Sequence, residues 1–278
     1  MRFSAVPMIF FKPMVLERTM ALEEWFPIAA SLGLDGTEIH DRSLASFEPE
    51  YLDRIGQALA DHGLVVSQFV GAADFTHPDP DVRERELAIT KRNIDAAVRL
   101  GATCVRVTAG QAHPGVSREQ GIEWAVAGLR EAAEYAAQRG VWAAYEDHYK
   151  DYFWERPDFS QRGEIFLEIL DRLRDTPLKV NFDFGNPVMI GEDPIALLRE
   201  VVDRVVHVHC SDRHQGEYPH QIAGEGSVDF AAGFRILRDA GYDGWLSSEY
   251  NGTQGLDGLK RSLEYLRRTW EAVQAERE

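Results

Sequence analysis

The sequence predicts an α/β protein built as a single (β/α)8 barrel domain over residues 1–278. Two observations predict it. Eight short β-rich runs alternate with eight amphipathic segments of helical period, at about one unit per 35 residues, and the total matches the ~250-residue length typical of such a barrel. No Gly-rich phosphate loop of the G-x-G-x-x-G kind follows the first run, which argues against an open doubly wound sheet, and nothing is left over for a second domain.

Residues 3–10 form the first run, and Thr19 is placed to cap a helix that carries Leu22, Trp25, Phe26 and Ala29 and stops at Gly33. Residues 35–40 are the second strand, followed by a helix that opens at Pro49, runs through Leu52, Ile55 and Leu59, and ends at Gly63. The third strand, 64–70, leads through a polar exit to a long helix over about 79–100 with Leu87, Ile94, Ala97 and Val98 on its apolar face. Strand four is 103–107, with a helix over 117–139 stopped by Gly140. Strand five, 141–146, is followed by an aromatic-rich loop and a helix through Ile165, Phe166, Ile169 and Leu170. Strand six, 178–183, precedes a helix over 193–202, and strand seven, 205–210, a helix over 228–240. Strand eight is 244–249, and a charged helix over about 256–275 closes the chain.

Composition narrows the function. A formal net charge of −16 repels a phosphate backbone at long range, so nucleic acid is not the expected partner. No run approaches the ~18 uncharged apolar residues of a membrane span, and the start shows no signal-peptide layout, so the expected location is the cytoplasm. The two cysteines, Cys104 and Cys210, each fall in a predicted strand and are expected to be buried, reduced thiols.

A barrel of this kind places its chemistry at the C-terminal ends of the strands. Glu38 and His40, Gln68, Arg106 and Thr108, Glu146 and His148, Asp183 and Asn186, His207 and His209, and Glu249 stand there. Glu146, Asp183, His209 and Glu249 fall in four consecutive strands. Three carboxylates converging on one rim raise one another's pKa unless a positive charge sits between them, and a divalent cation is the simplest. Three oxygen donors and one imidazole suit Mn2+ first, with Mg2+ or Co2+ as substitutes, rather than Zn2+. Period-two alternation in the seventh strand puts His207 and His209 on one face; His209 at the rim is the expected ligand and His207, one layer deeper, its support.

These residues, in this order, resemble the xylose-isomerase-like TIM barrels of the sugar phosphate isomerase/epimerase group. The resemblance spans essentially the whole chain: Gly36-Thr-Glu-Ile, Arg92 to Arg106, Glu146-Asp-His148, Asp183-Phe-Gly-Asn186, His209-Cys-Ser-Asp212, Gly224-Glu-Gly226 and Glu249. It implies metal ligation by Glu146, Asp183, His209 and Glu249, with the two glutamates as acid/base pair. The activity it implies is that of a metal-dependent isomerase or epimerase of a sugar or keto-cyclitol, acting through an enediolate. The alternative is a lyase with the same first proton abstraction, similar to inosose or dehydroshikimate dehydratases or to C-glycoside-cleaving enzymes. Members are often dimers or tetramers.

Chemistry adds His148 as an alternative base, since imidazole titrates near working pH. Asn186, Arg213, His214, His40 and Arg106 are candidate substrate contacts. Asn186 stands where sugar 3-epimerases of the group carry a histidine. Few Lys or Arg beyond Arg106 and Arg213 fall at strand ends, so a phosphorylated substrate is not expected. The loop 149–159, with Tyr152, Phe153 and Trp154, suggests either a lid, a ring-bearing substrate or a subunit contact.

Overall fold

In the computed structural model, which describes residues 1–276, the strands are β1 Arg2–Val6, β2 Gly36–His40, β3 Val65–Val70, β4 Cys104–Val107, β5 Trp142–Glu146, β6 Lys179–Asp183, β7 Val205–Cys210 and β8 Trp245–Glu249. All neighbours pair in parallel, in the order β1-β8-β7-β6-β5-β4-β3-β2. The helices are α1 Trp25–Ser31, α2 Pro49–Asp61, α3 Pro80–Arg99, α4 Arg118–Gln138, α5 Gly163–Arg172, α6 Gly185–Met189, α7 Pro194–Val201, α8 Phe230–Asp239 and α9 Gly255–Ala275.

Parallel strands are covered on both faces, and here the faces differ in chemistry. Ala5, Ile39, Phe69, Val105, Tyr145, Phe182, Val208 and Leu246 point outward into the apolar layer shared with the helices. The alternate positions, among them Ser4, Glu38, Gln68, Asn181, His207 and Ser247, are equally buried but polar. The barrel interior is therefore a hydrogen-bonded network that leads up to the rim.

The remaining seam, between β1 and β2, is bridged mainly through side chains. Asp35 donates its backbone N–H to the Phe3 carbonyl at 2.9 Å and its carboxylate accepts from Phe3 N at 2.8 Å. Thr37 Oγ1 donates to the Ala5 carbonyl at 3.1 Å and accepts from Trp25 Nε1 at 2.7 Å. Thr37→Val is expected to lower stability by about 1–3 kcal/mol in urea unfolding, because the buried indole N–H loses its acceptor.

Four details depart from the sequence expectation. The first strand ends at Val6, not Phe10: Pro7 has no N–H for the next ladder bond, and Met8–Phe10 make a 3-10 turn followed by one π-helical turn, Lys12–Leu16. Thr19 does not cap the first helix; Glu24 Oε1 accepts from Ala21 N at 2.7 Å, and Thr19 Oγ1 turns back to Pro13 O. The eighth helix starts at Phe230 because the Asp229 carboxylate, at 2.9 Å from Ala232 N, is its cap. The short helix α6, directly after β6, has no counterpart in the apolar periodicity. Both cysteines are buried and reduced, as expected.

Candidate metal centre and substrate cavity

The rim brings together the four side chains picked out from the strand ends. His209 Nδ1 lies 2.7 Å from Glu146 Oε1, 3.3 Å from Glu249 Oε2 and 3.7 Å from Asp183 Oδ2. One ligand atom from each of the four lies within 4.8 Å of all the others. Glu146, Asp183 and His209 are sealed, whereas the Glu249 side chain is 17% exposed and faces the opening.

Local structure aims each donor. The register pairs Asp183 with His209 across β6 and β7, placing both in one layer. Beyond β6 the chain turns into α6, whose first amides, Gly185 N and Asn186 N, donate to Asp183 Oδ1 at 2.7 and 2.8 Å, joined by Ser211 Oγ at 2.8 Å. Asp183 Oδ2 is left buried with no hydrogen-bond partner. Arg106 Nη1 holds Glu146 Oε2 at 3.0 Å, and Asn181 Nδ2 donates to Oε1 at 3.0 Å.

Beneath the cluster lies Glu38, which the strand-end inventory includes without a role. His207 Nε2 is 2.9 Å from its Oε1, His209 Nε2 is 3.1 Å from the same carboxylate, and Ser247 Oγ donates to it. Sequence spacing carries no signal for a pairing across 169 positions.

Charge in the cluster is unbalanced in a way that favours a cation. Burial pushes the Asp183 carboxyl up to about 7, and the Glu249 charge adds to this against the pull of His209. Burial also opposes ionisation of Glu146 and Glu249, yet Arg106 and His209 hold Glu146 below the usual carboxylate range, and His209 holds Glu249 well below it. The His209 imidazole, despite burial, is driven well above its ordinary value by Glu38 and Glu146. A proton on His209 supplies the positive charge that the convergent carboxylates require. The orphaned Asp183 Oδ2, three oxygen donors and one imidazole nitrogen fit a divalent ion in the same place.

The cluster forms the floor of a cavity of about 400 Å3, whose lining includes His209 and Glu249. Of the other candidates, His40, Arg106, His148 and Arg213 line it too. The His148 ring is set by Asp158 Oδ2, 3.3 Å from Nδ1, and by Trp154 packed edge-on at 5.2 Å. Asn186 and His214 are not among the lining residues: Asn186 serves Asp183 through its backbone, and His214 Nδ1 lies 3.0 Å from Ser227 Oγ.

Asp151, not singled out by the sequence, receives Arg106 Nη2 at 3.4 Å. Against burial, the neighbouring His40 and Arg106 keep it well below the usual carboxylate range. Lys12, in the π-helical turn, and Lys150, in the loop after β5, also line the cavity; neither stands at a strand end.

A family model described as xylose isomerase-like TIM barrel matches residues 26–269. The chain belongs to that family. Within it, the chain is 26% identical over 222 residues to a ketose 3-epimerase of Arthrobacter globiformis, covering 77% of this chain and 73% of the relative. It is 25% identical over 139 residues to an inosose dehydratase of Clostridium tetani, a match that covers 44% of each chain. The structure of a D-tagatose 3-epimerase-like protein superposes with a TM-score of 0.83 over 100% of both chains at 18% identity, a likeness of fold. The family relatives are enzymes, epimerases and dehydratases among them. No helix among the described residues is long and apolar enough to cross a membrane.

Proposed function

We propose that this chain is a metal-dependent epimerase or isomerase of a keto sugar or keto-cyclitol, working by proton removal from the carbon beside a carbonyl. The observation that carries this reading is the pair Glu146 and Glu249, both held ionised, flanking His209 at the floor of the cavity. A divalent ion, Mn2+ first with Mg2+ or Co2+ as substitutes, held by Glu146, Asp183, His209 and Glu249, would supply the positive charge that acidifies such a proton.

Glu249, the more open of the two, takes the proton; Glu146, anchored by Arg106 and itself ionised, returns one to the other face only after receiving it, and His148, which keeps a proton on the cavity wall, is the source. Arg213 and His40 line the cavity and would hold substrate oxygens. The kinship with a ketose 3-epimerase supports the reaction class and a small carbohydrate or cyclitol substrate.

A second reading, a lyase with the same first step, is favoured by His148. Burial opposes its charge, but Asp158 and Glu146 raise its pKa above the ordinary value, which keeps a proton on a ring that lines the cavity. That proton is available to a departing hydroxyl or aglycone.

Incubation of a ketose and keto-cyclitol panel with the protein and Mn2+ in D2O separates the two. Epimerisation is expected to add one deuteron without other mass change. Loss of water or aglycone with a new ultraviolet-absorbing enone assigns the lyase, and no exchange anywhere in the panel would sink both readings.

A further inference from the structure

We propose that the substrate carries an apolar, ring-bearing substituent, as in a keto-glycoside with an aromatic aglycone, and that this substituent lies against one wall of the cavity. The inference rests on the function proposed above and names the substrate class of the same site. The cavity is two-sided. Its floor is the charged cluster with His209 and Glu249, and its wall includes Met8, Ile9, Phe11, Leu16, Tyr152 and Tyr218, with Lys12, Lys150 and Asp151 beside them.

This wall exists because Pro7 stops β1 early. The apolar residues that follow are turned out of the sheet into the 3-10 and π turns and are carried over the mouth instead of into the layer under the helices. The loop after β5 meets them there: Phe11 packs against Tyr152 at 5.2 Å and Phe153 at 5.9 Å. Leu16, Tyr152, Phe153 and Tyr218 are 40%, 55%, 39% and 44% exposed, among the largest exposures of any big apolar side chain described. Val65, Trp142 and Leu256 are as exposed but do not line the cavity, whereas Leu16, Tyr152 and Tyr218 share its lining, and apolar side chains clustered beside a polar site mark a ligand surface.

A bare sugar is a poor match for such a wall. Its hydroxyls need partners on each face, and those turned toward Met8, Ile9 and Leu16 would lose water and gain nothing. An aromatic ring gains from the same surface, by burial and by tilted contacts of the kind Phe11 already makes with Tyr152. The wall and the floor line one cavity, so a single molecule can lay a ring on the wall while its polar end reaches the cluster.

The test uses unreactive probes, so that it stands apart from turnover. With the intact chain, phenyl β-D-glucoside is expected to bind at least tenfold more tightly than methyl β-D-glucoside in titration calorimetry. Phe11→Ala with Tyr152→Ala should remove most of that preference, with circular dichroism confirming the fold. Equal affinity for the two probes overturns the proposal, and if the D2O exchange above still occurs, the epimerase reading survives it. A mouth covered by a second copy of the chain also overturns it. That outcome would appear as a dimer in sedimentation that Leu16→Asp dissociates, with no phenyl preference in either state.

Discussion

His209→Ala is expected to abolish Mn2+ binding and turnover together, whereas His207→Ala should weaken metal affinity by about 10- to 100-fold and leave measurable activity. The asymmetry comes from geometry. His209 Nδ1 is the nitrogen around which Glu146, Asp183 and Glu249 converge, while His207 hydrogen-bonds Glu38, which in turn touches His209, and packs edge-on against the His209 ring at 5.5 Å. Removing His209 takes away the charge that Glu38, Asp183 and Glu249 share, leaving Arg106 on Glu146 and His207 on Glu38. Breaking a buried charge pair in this way costs about 3–5 kcal/mol, so His209→Gln, which keeps a polar side chain, serves as the control for folding. Metal content after gel filtration and thermal melts with and without Mn2+ provide the readout. Equal effects at the two histidines would mean that the ligand and support layers are wrongly assigned.

The same cluster dictates how metal uptake depends on pH. Asp183, with its carboxyl pushed up to about 7 chiefly by burial, is protonated below that value and must lose the proton to bind an ion. Apparent Mn2+ affinity should therefore rise with pH through about 7 and keep rising above it until the His209 imidazole, held well above its ordinary value, has also lost its proton, and binding should release protons in weakly buffered titrations. For metal-free protein, the contribution of Asp183 to stability is expected to slope the opposite way. A carboxyl whose folded pKa lies above its unfolded value contributes stability at low pH that is lost as pH rises from about 4 through about 7. Melts of metal-free parent and of Asp183→Asn at pH 6 and pH 8 check the sign of Asp183's contribution as the difference between the two proteins, and added Mn2+ should recover stability of the parent at pH 8.

Much of this was legible in the sequence because the relevant signals are local. Period-two alternation in Val205–Cys210 puts His207 and His209 on one face, and strand ends in a barrel share one rim, so Glu146, Asp183, His209 and Glu249 could be gathered without knowing any distance. What alternation does not encode is register across the barrel. Nothing near Glu38 announces two imidazoles contributed by β7, and nothing near Asn186 announces that a one-turn helix uses its backbone amide rather than its side chain. Pro7 was a readable signal for the end of β1. It was outweighed by the apolar residues after it, which look like strand but form the cavity wall.

Glu38→Gln is the substitution in which the interior network speaks most directly. A carboxylate offers only acceptors, so both Nε2 atoms that face Glu38 must carry hydrogen, and His209 is thereby fixed with Nδ1 turned to the cluster. Glutamine has the same shape but replaces one oxygen with a donor, which opposes one of the two N–H groups. Either His207 or His209 must then change tautomer or turn its ring, and Ser247 Oγ loses a charged acceptor. Mn2+ affinity is expected to fall by about 10- to 100-fold while the fold is kept. In protein loaded with diamagnetic Mg2+, nitrogen shifts of the imidazoles should move from a single Nε2–H form toward a mixture. Ser247→Ala, which removes a donor but leaves the carboxylate, should do far less. If Glu38→Gln binds Mn2+ as tightly as the parent and its imidazoles keep their tautomer, then Glu38 does not orient His209, and packing alone must hold the ring.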